Sequence, residues 1–269
     1  MEFKTDLTDV VLTFTLCQPE KLNPFSVEGF MEFGRAISEA SENDEVEAIV
    51  ITGEGRGFSV GVDLASLLGF LKPDGGKDMD QQRLAAMFDE GVNAMATAIN
   101  TSKKPTVAAL NGIVAGGGIG IALGCDVIVA SEKAAFNMPF VTGLGILPDC
   151  GSSWLFARAV GRGRALPAIL LGETVSAQEA QSWGLIWKVV APDALQETAR
   201  GIAARLAAGP VQMYPALRHA VDAASAQGLQ DQLAYEREVN IELVQTDAFA
   251  EGVSAFGEKR KPNFRATRG

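Results

Sequence analysis

The 269-residue sequence holds one histidine and three cysteines, Cys17, Cys125 and Cys150. With a single imidazole and no Cys-x-x-Cys pair, it offers neither a structural zinc site nor a disulfide framework. Positive charge is also short. Lysine and arginine total 23 against 33 aspartates and glutamates, a formal net charge of −10. Such a chain has no basic field to hold a phosphate backbone, which argues against nucleic-acid binding. Residues 1–10 carry Glu2, Lys4, Asp6 and Asp9 and lack the apolar stretch of a signal peptide, so a cytoplasmic location is expected. The longest uncharged run, Pro105 to Cys125, sets Gly112, Gly116, Gly120 and Gly124 four residues apart. In isolation that spacing suits a membrane helix with a small-residue face. Pro105, Asn111-Gly112 and the triple glycine 116–118 oppose it and favour a strand, a glycine turn and a helix.

What is present is apolar pattern and glycine: 47% hydrophobic residues and 29 glycines. Val10 to Leu16 alternates with period two and predicts a strand. Ser26 caps a predicted helix bearing Val27, Phe30, Met31 and Ile37 on one face. Val46 to Thr52 reads as a buried strand, Gly53 to Gly61 as a glycine-rich loop, and Asp63 as the cap of a short helix over Leu64 to Phe70. A polar loop over 72–80 precedes a longer helix ending near Asn100. Strands follow at Thr106 to Leu110 and Val127 to Ala130. Ser176 with Glu179 has capping-box spacing for a helix ended near Gly184, and Leu185 to Val190 returns as a strand. Helical patterning then dominates, with a last helix near 247–258. The fold class expected is α/β, with a helical C-terminal module.

Three clusters carry possible chemistry. Consecutive glycines at a strand-to-helix junction leave backbone N–H groups free to bind an anion or a developing oxyanion. Gly57-Phe58-Ser59-Val60-Gly61 matches the G-x-S-x-G nucleophile elbow, with Asp126 or Asp149 and then His219 downstream in hydrolase order. Residues 53–56 separate that motif from its strand, however, and His219 lies in a helical pattern. In Ile146-Leu147-Pro148-Asp149-Cys150-Gly151, Asp149 either caps the helix starting near Ser152 or stands as a carboxylate in an apolar pocket. Burial of the second kind raises its proton affinity towards that of a general base.

Taken together these residues resemble the crotonase superfamily, the enoyl-CoA hydratase/isomerase group. Ile51-Thr52-Gly53 leading to Gly57-Phe58-Ser59-Val60-Gly61-Val62-Asp63-Leu64 looks like its first oxyanion loop, and Asn111-Gly112 with Ala115-Gly116-Gly117-Gly118 like its second. Glu251-Gly252 through Ala255-Phe256-Gly257-Glu258-Lys259-Arg260-Lys261-Pro262-Asn263-Phe264 is similar to its C-terminal signature. The resemblance implies a spiral of strand-strand-helix (ββα) repeats over 1–195. It further implies a helical oligomerisation region over 196–269 that builds a homotrimer or a dimer of trimers. Val62 and Gly117 would donate their N–H groups to the oxygen of an acyl-CoA thioester, at about 3 kcal/mol for each donor as charge develops. Ser59 then becomes a loop residue near the adenine pocket. Coenzyme A enters as part of the substrate, with no tightly bound cofactor and no metal. Lys21, Leu22, Val60 and Leu64 would border it, and Phe256 and Lys259 would reach it from a neighbouring subunit. Without the resemblance, Phe256 joins Phe249 and Val253 in an apolar helix stripe, and Lys259 is a solvated charge.

Hydratases of this group use two glutamates. At the corresponding positions this sequence has Gly120 and, after Met138-Pro139, Phe140. The departure resembles the isomerase branch, whose members carry one acid in a Leu-Pro-Asp-x-Gly segment, here Asp149. The expected activity is an enoyl-CoA isomerase that shifts a 3-enoyl or cyclic double bond to the 2-position. A hydratase of the same family is the alternative, and a serine hydrolase using Ser59 is the alternative outside it. The segment from Ala65 to Gly91 is expected to wall the acyl pocket.

Overall fold

Unbroken burial along the apolar segments 48–53 and 106–110 marks a sheet with two covered faces. The computed structural model describes residues 2–67 and 81–267, so the expected polar loop 72–80 lies outside the described residues. Six strands form the larger sheet in the order β1 (Phe3–Thr8), β2 (Val11–Leu16), β4 (Ala48–Gly53), β7 (Thr106–Leu110), β9 (Val127–Ser131), β12 (Lys188–Val190). Only β1 runs antiparallel to its neighbour. On one face Ile49, Ile51, Ala108, Leu110, Ile128 and Ala130 join the main core. On the other, Ala48, Val50, Val107, Ala109 and Val129 meet Leu195, Ala199, Ala203 and Ala207 of helix α9 (Leu195–Ala207). Three alanines four residues apart put a small-residue stripe against the sheet and let the helix approach closely. The helix that opens the expected C-terminal region therefore packs against the large sheet.

A second sheet has the order β11 (Thr174–Ser176), β10 (Ala135–Asn137), β8 (Ile113–Ala115), β5 (Gly57–Ser59). A third pairs β3 (Pro24–Phe25) with β6 (Gly61–Val62). Each long strand thus passes across a short turn into the second sheet: β4 to β5, β7 to β8, β9 to β10. This repetition is the spiral. The segment expected as a glycine-rich loop, 53–61, contains β5 and the first residue of β6, because its carbonyls and amides pair with β8 and β3. The long uncharged run divides into β7, β8 and α5 (Gly117–Leu123), and no helix among the described residues is long and apolar enough to cross a membrane.

Helix α1 (Val27–Glu42) starts where expected, the Ser26 hydroxyl accepting the Gly29 N–H at 3.0 Å. Phe25, Phe30 and Phe33 cluster with Phe3 and Phe14, ring centroids 5.0–5.8 Å apart, and fasten α1 to the sheet. Helix α2 (Leu64–Leu67) follows β6. The helix expected to end near Asn100 is α3 (Gln81–Ala86), a π-helical stretch Met87–Asn93 and α4 (Ala94–Asn100). Another π-helical stretch, Phe140–Leu144, precedes α6 (Ser152–Val160) and α7 (Arg162–Leu171). The capping box at Ser176 and Glu179 forms at the head of α8 (Ala177–Ser182). After α9 come α10 (Tyr214–Ala223), α11 (Leu229–Leu243) and α12 (Asp247–Glu258).

One ion pair ties the C-terminal helices to the spiral. Arg218 of α10 donates from Nε and Nη2 to the two carboxylate oxygens of Asp126 at 2.6 and 2.8 Å, and from Nη1 to the Ser102 carbonyl at 2.6 Å. Asp126 Oδ2 also accepts the Thr106 amide at 2.8 Å, at the start of β7. Truncating the arginine leaves the Ser102 carbonyl without that donor and the partly exposed Asp126 carboxylate with only its Thr106 bonds, so Arg218→Ala should cost about 1–2 kcal/mol in urea unfolding. The loss should exceed that of Lys103→Ala, whose pair with Glu42 is exposed.

Candidate active site

The site grows from a place where three backbone segments touch. Gly61, at φ +80°, comes so close to α5 that a methyl group on it would lie 2.3 Å from the Gly117 nitrogen. Gly116, at φ +51°, faces the Val60 carbonyl in the same way, a methyl there falling 2.7 Å from that oxygen. Any side chain at either position would push the loops apart, and both φ values lie in the region that favours glycine. Gly117 opens α5, so its N–H has no partner within the helix, and no acceptor among the described residues takes it.

Two asparagines hold the first loop in this position. Asn23 Nδ2 donates to the carbonyls of Gly57, Phe58 and Glu54 at 2.8, 3.2 and 3.0 Å, while its Oδ1 accepts the Gln18 amide at 2.8 Å. Asn111 Oδ1 accepts the Gly53 amide at 3.1 Å, and its Nδ2 donates to the carbonyls of Gly55 and Gly57 at 3.0 and 2.8 Å. Ser59 completes the frame. Its hydroxyl donates to the Asn23 carbonyl at 2.8 Å and accepts the Gly61 amide at 3.1 Å, and its residue is fully buried in β5. Ser59 is therefore neither a loop residue nor a nucleophile. Its proton is committed to a backbone carbonyl, His219 stacks on Tyr235 in the C-terminal helices, and Asp126 belongs to Arg218. The serine-hydrolase alternative falls on these contacts.

The third segment is the turn 149–151. Methyl groups on Gly117 and Gly120 would meet Cys150, at 2.9 Å from Sγ for the first and 2.2 Å from the carbonyl oxygen for the second. Asp149 is thereby brought beside the start of α5. It does not cap α6: the cap position is Gly151, no side chain caps it, and the Asp149 backbone carbonyl accepts the Ser152 amide at 2.8 Å. Asp149 Oδ1 is buried and has no hydrogen-bond partner among the described residues, and Ser152 Oγ shares that condition. Burial pushes the Asp149 carboxyl above the usual carboxylate range, an effect partly offset by the neighbouring Cys150 thiol. The apolar neighbours expected of it, Leu144, Ile146, Leu147 and Trp154, are exposed, Leu147 the most at 83%.

Of the residues expected near coenzyme A, Leu22 and Val60 are joined by a hydrogen bond from the Val60 amide to the Leu22 carbonyl at 3.1 Å. Leu22 takes the left-handed conformation at φ +65°. Lys21 is exposed and pairs with Asp63 at 3.3 Å, and Leu64 is half exposed at the start of α2. Val62 sits in β6 directly after Gly61. Phe256 and Lys259 stand at the end of α12, far along the chain, with Phe256 88% exposed. The framework roles of Asn23 and Ser59 and the wedge formed by Cys150 escaped the sequence reading; each depends on contacts between residues distant in sequence. No group of three or more potential metal ligands occurs among the described residues.

A family model described as Enoyl-CoA hydratase/isomerase matches residues 6–267. The chain is 35% identical over 254 residues to a 1,2-epoxyphenylacetyl-CoA isomerase of Escherichia coli, covering 94% of each chain. It is 34% identical over 267 residues to a trans-2-decenoyl-[acyl-carrier-protein] isomerase of Streptococcus mutans, covering 98% of this chain and 99% of that one. Among solved structures, an enoyl-CoA hydratase from Polaromonas sp. JS666 superposes with a TM-score of 0.88 at 32% identity, over 97% and 98% of the two chains.

Folding against an ionised Asp149 costs free energy, because its charged form is disfavoured inside the site. The cost applies above its raised pKa and vanishes once the group is protonated in both folded and unfolded chains. Asp149→Asn should therefore melt at a higher temperature than the parent at about pH 8, with the difference closing by about pH 3. Thermal unfolding followed by circular dichroism measures both.

Proposed function

The chain belongs to the enoyl-CoA hydratase/isomerase family, and from that membership we propose that it is an enoyl-CoA isomerase. It moves a 3-enoyl or cyclic double bond into conjugation with the thioester. The observation that carries this reading is the buried Asp149 Oδ1, which accepts no hydrogen bond among the described residues, one residue from the Cys150 that packs on Gly117, whose N–H is likewise unpartnered among them.

The mechanism uses the chain's own groups. The N–H groups of Val62 and Gly117 hold the thioester oxygen and stabilise the negative charge that appears there when a proton leaves C2. Asp149 takes that proton and returns it to C4 of the same dienolate. A carboxyl raised by burial suits both halves of the task, being basic enough to accept the proton and acidic enough to release it. A second acid has no room at position 120 while the turn 149–151 stands where it does, since a side chain there would start 2.2 Å from the Cys150 carbonyl. At 140 the residue is a buried phenylalanine. The two-carboxylate route to water addition is thus poorly supported, and exclusion of water protects the dienolate.

Substrate binding follows the same reading. Lys21, Leu22, Val60 and Leu64 border the coenzyme A moiety, with the Leu22–Val60 bond fixing one wall. Phe256 and Lys259 reach the coenzyme A of a neighbouring subunit in a homotrimer or dimer of trimers. In support, α12 offers Phe249, Val253 and Phe256 as exposed apolar side chains that assembly would cover. Three cysteines without a disulfide among them suit a cytoplasmic enzyme.

Purified protein should convert 3-enoyl-CoA to the conjugated 2-enoyl product, read by the rise in thioester absorbance. Asp149→Asn should lower turnover about 1,000-fold while coenzyme A still binds. Rapid hydration of 2-enoyl-CoA with no isomerisation of the 3-enoyl compound would establish the hydratase alternative instead.

A further inference from the structure

The turn that carries Asp149 is strained in a way its own fold does not require. Cys150 lies at φ +51°, next to Gly151 at φ +72°. A side-chain-bearing residue in that region costs about 1 kcal/mol relative to glycine, and persists only where its surroundings hold it. Cys150 is held on two sides. Its sulfur packs against Gly117, where a methyl would come within 2.9 Å of it. Its carbonyl and Cβ fill the space over Gly120, at 2.2 and 2.4 Å from a methyl there. Burial, reinforced by the Asp149 charge, pushes its thiol well above the ordinary range, so the group is a neutral filler and no nucleophile.

The polar contacts of the neighbouring carboxylate are with the Cys150 thiol and with its own backbone amide. Asp149 Oδ1 accepts no hydrogen bond from the described residues, so polar contacts do not fix that oxygen. Packing has to do so, and Cys150 is the side chain wedged between the turn and the start of α5.

We propose that Cys150 is a positioning residue, its side chain setting the placement of the Asp149 carboxylate relative to the Gly117 N–H. The inference rests on the reading of Asp149 as the acid/base group. Glycine at 150 would satisfy the backbone better than cysteine does. The side chain therefore serves its neighbour more than the fold, and its loss separates placement from stability.

Cys150→Gly and Cys150→Ser test this, each compared with the parent by thermal unfolding, 3-enoyl-CoA kinetics and an NMR titration of 13C-labelled Asp149, assigned with Asp149→Asn. Cys150→Gly should melt within a few degrees of the parent, while kcat falls about 100-fold, the effect of a misplaced catalytic group. KM should stay within about threefold. The Asp149 midpoint should fall towards the ordinary carboxylate range as solvent reaches it, and Cys150→Ser should recover most of both. Parental kcat and an unmoved midpoint in Cys150→Gly would overturn the proposal. So would a parallel collapse of stability and activity in both variants, the mark of a merely structural residue. If the parent does not isomerise 3-enoyl-CoA, the acid/base reading fails, and the midpoint alone still decides whether Cys150 controls the carboxylate's surroundings.

Discussion

The structure depends on backbone meeting backbone without side chains between. Gly61 against Gly117, Gly116 against the Val60 carbonyl, and Gly120 against Cys150 bring three loops from different turns of the spiral into one contact. A methyl at any of these positions would lie 2.2 to 2.7 Å from a nitrogen or oxygen of the facing chain. Such approaches are open only to glycine. Once the loops are in place, the Gly117 amide is left without an acceptor among the described residues, and the turn 149–151 packs on the start of α5 through Cys150. Asn23, Asn111 and Ser59 contribute their side chains to holding the first loop, and their polar atoms are satisfied within the frame.

Under the proposed isomerase reading, the same contact disfavours two-acid chemistry. Position 120, where the family's hydratases place a glutamate, is filled here by the backbone of Cys150. Asp149 keeps one buried oxygen without a hydrogen-bond partner among the described residues, a state that costs stability. The large strand core bears that cost. Its faces are covered on one side by the aromatic cluster under α1 and on the other by the alanine stripe of α9. Rigid strands therefore position loops whose own chemistry is almost wholly main-chain.

Much of the fold was legible from local pattern. The strand at Thr106–Leu110 and the helix over Asp247–Glu258 follow apolar periodicity, while the caps at Ser26 and Ser176 follow local hydrogen-bond chemistry. The strand β1 escaped because at this sheet edge Phe3 alone of its six residues is buried, and periodicity there has little apolar signal to read. The run Leu185 to Val190 narrowed to Lys188–Val190 because Leu185 and Ile186 bury in the core before the strand begins. At the site, the glycines announced the loops. A cysteine at positive φ, or an asparagine serving three distant carbonyls, carries no local signature. Asp149 stood open between helix cap and buried carboxylate until the α6 cap proved to be Gly151.

The central claim is that one sequestered carboxylate carries a proton between two carbons above two backbone amides. Isomerisation of unlabelled 3-enoyl-CoA in D2O, with the product analysed by mass spectrometry at low conversion, tests it most directly. A buried Asp149 oxygen shielded from solvent predicts that most product molecules retain the substrate's own proton, now at C4. Product carrying one deuterium in essentially every molecule would contradict it, showing that the proton comes from solvent or from a second acid.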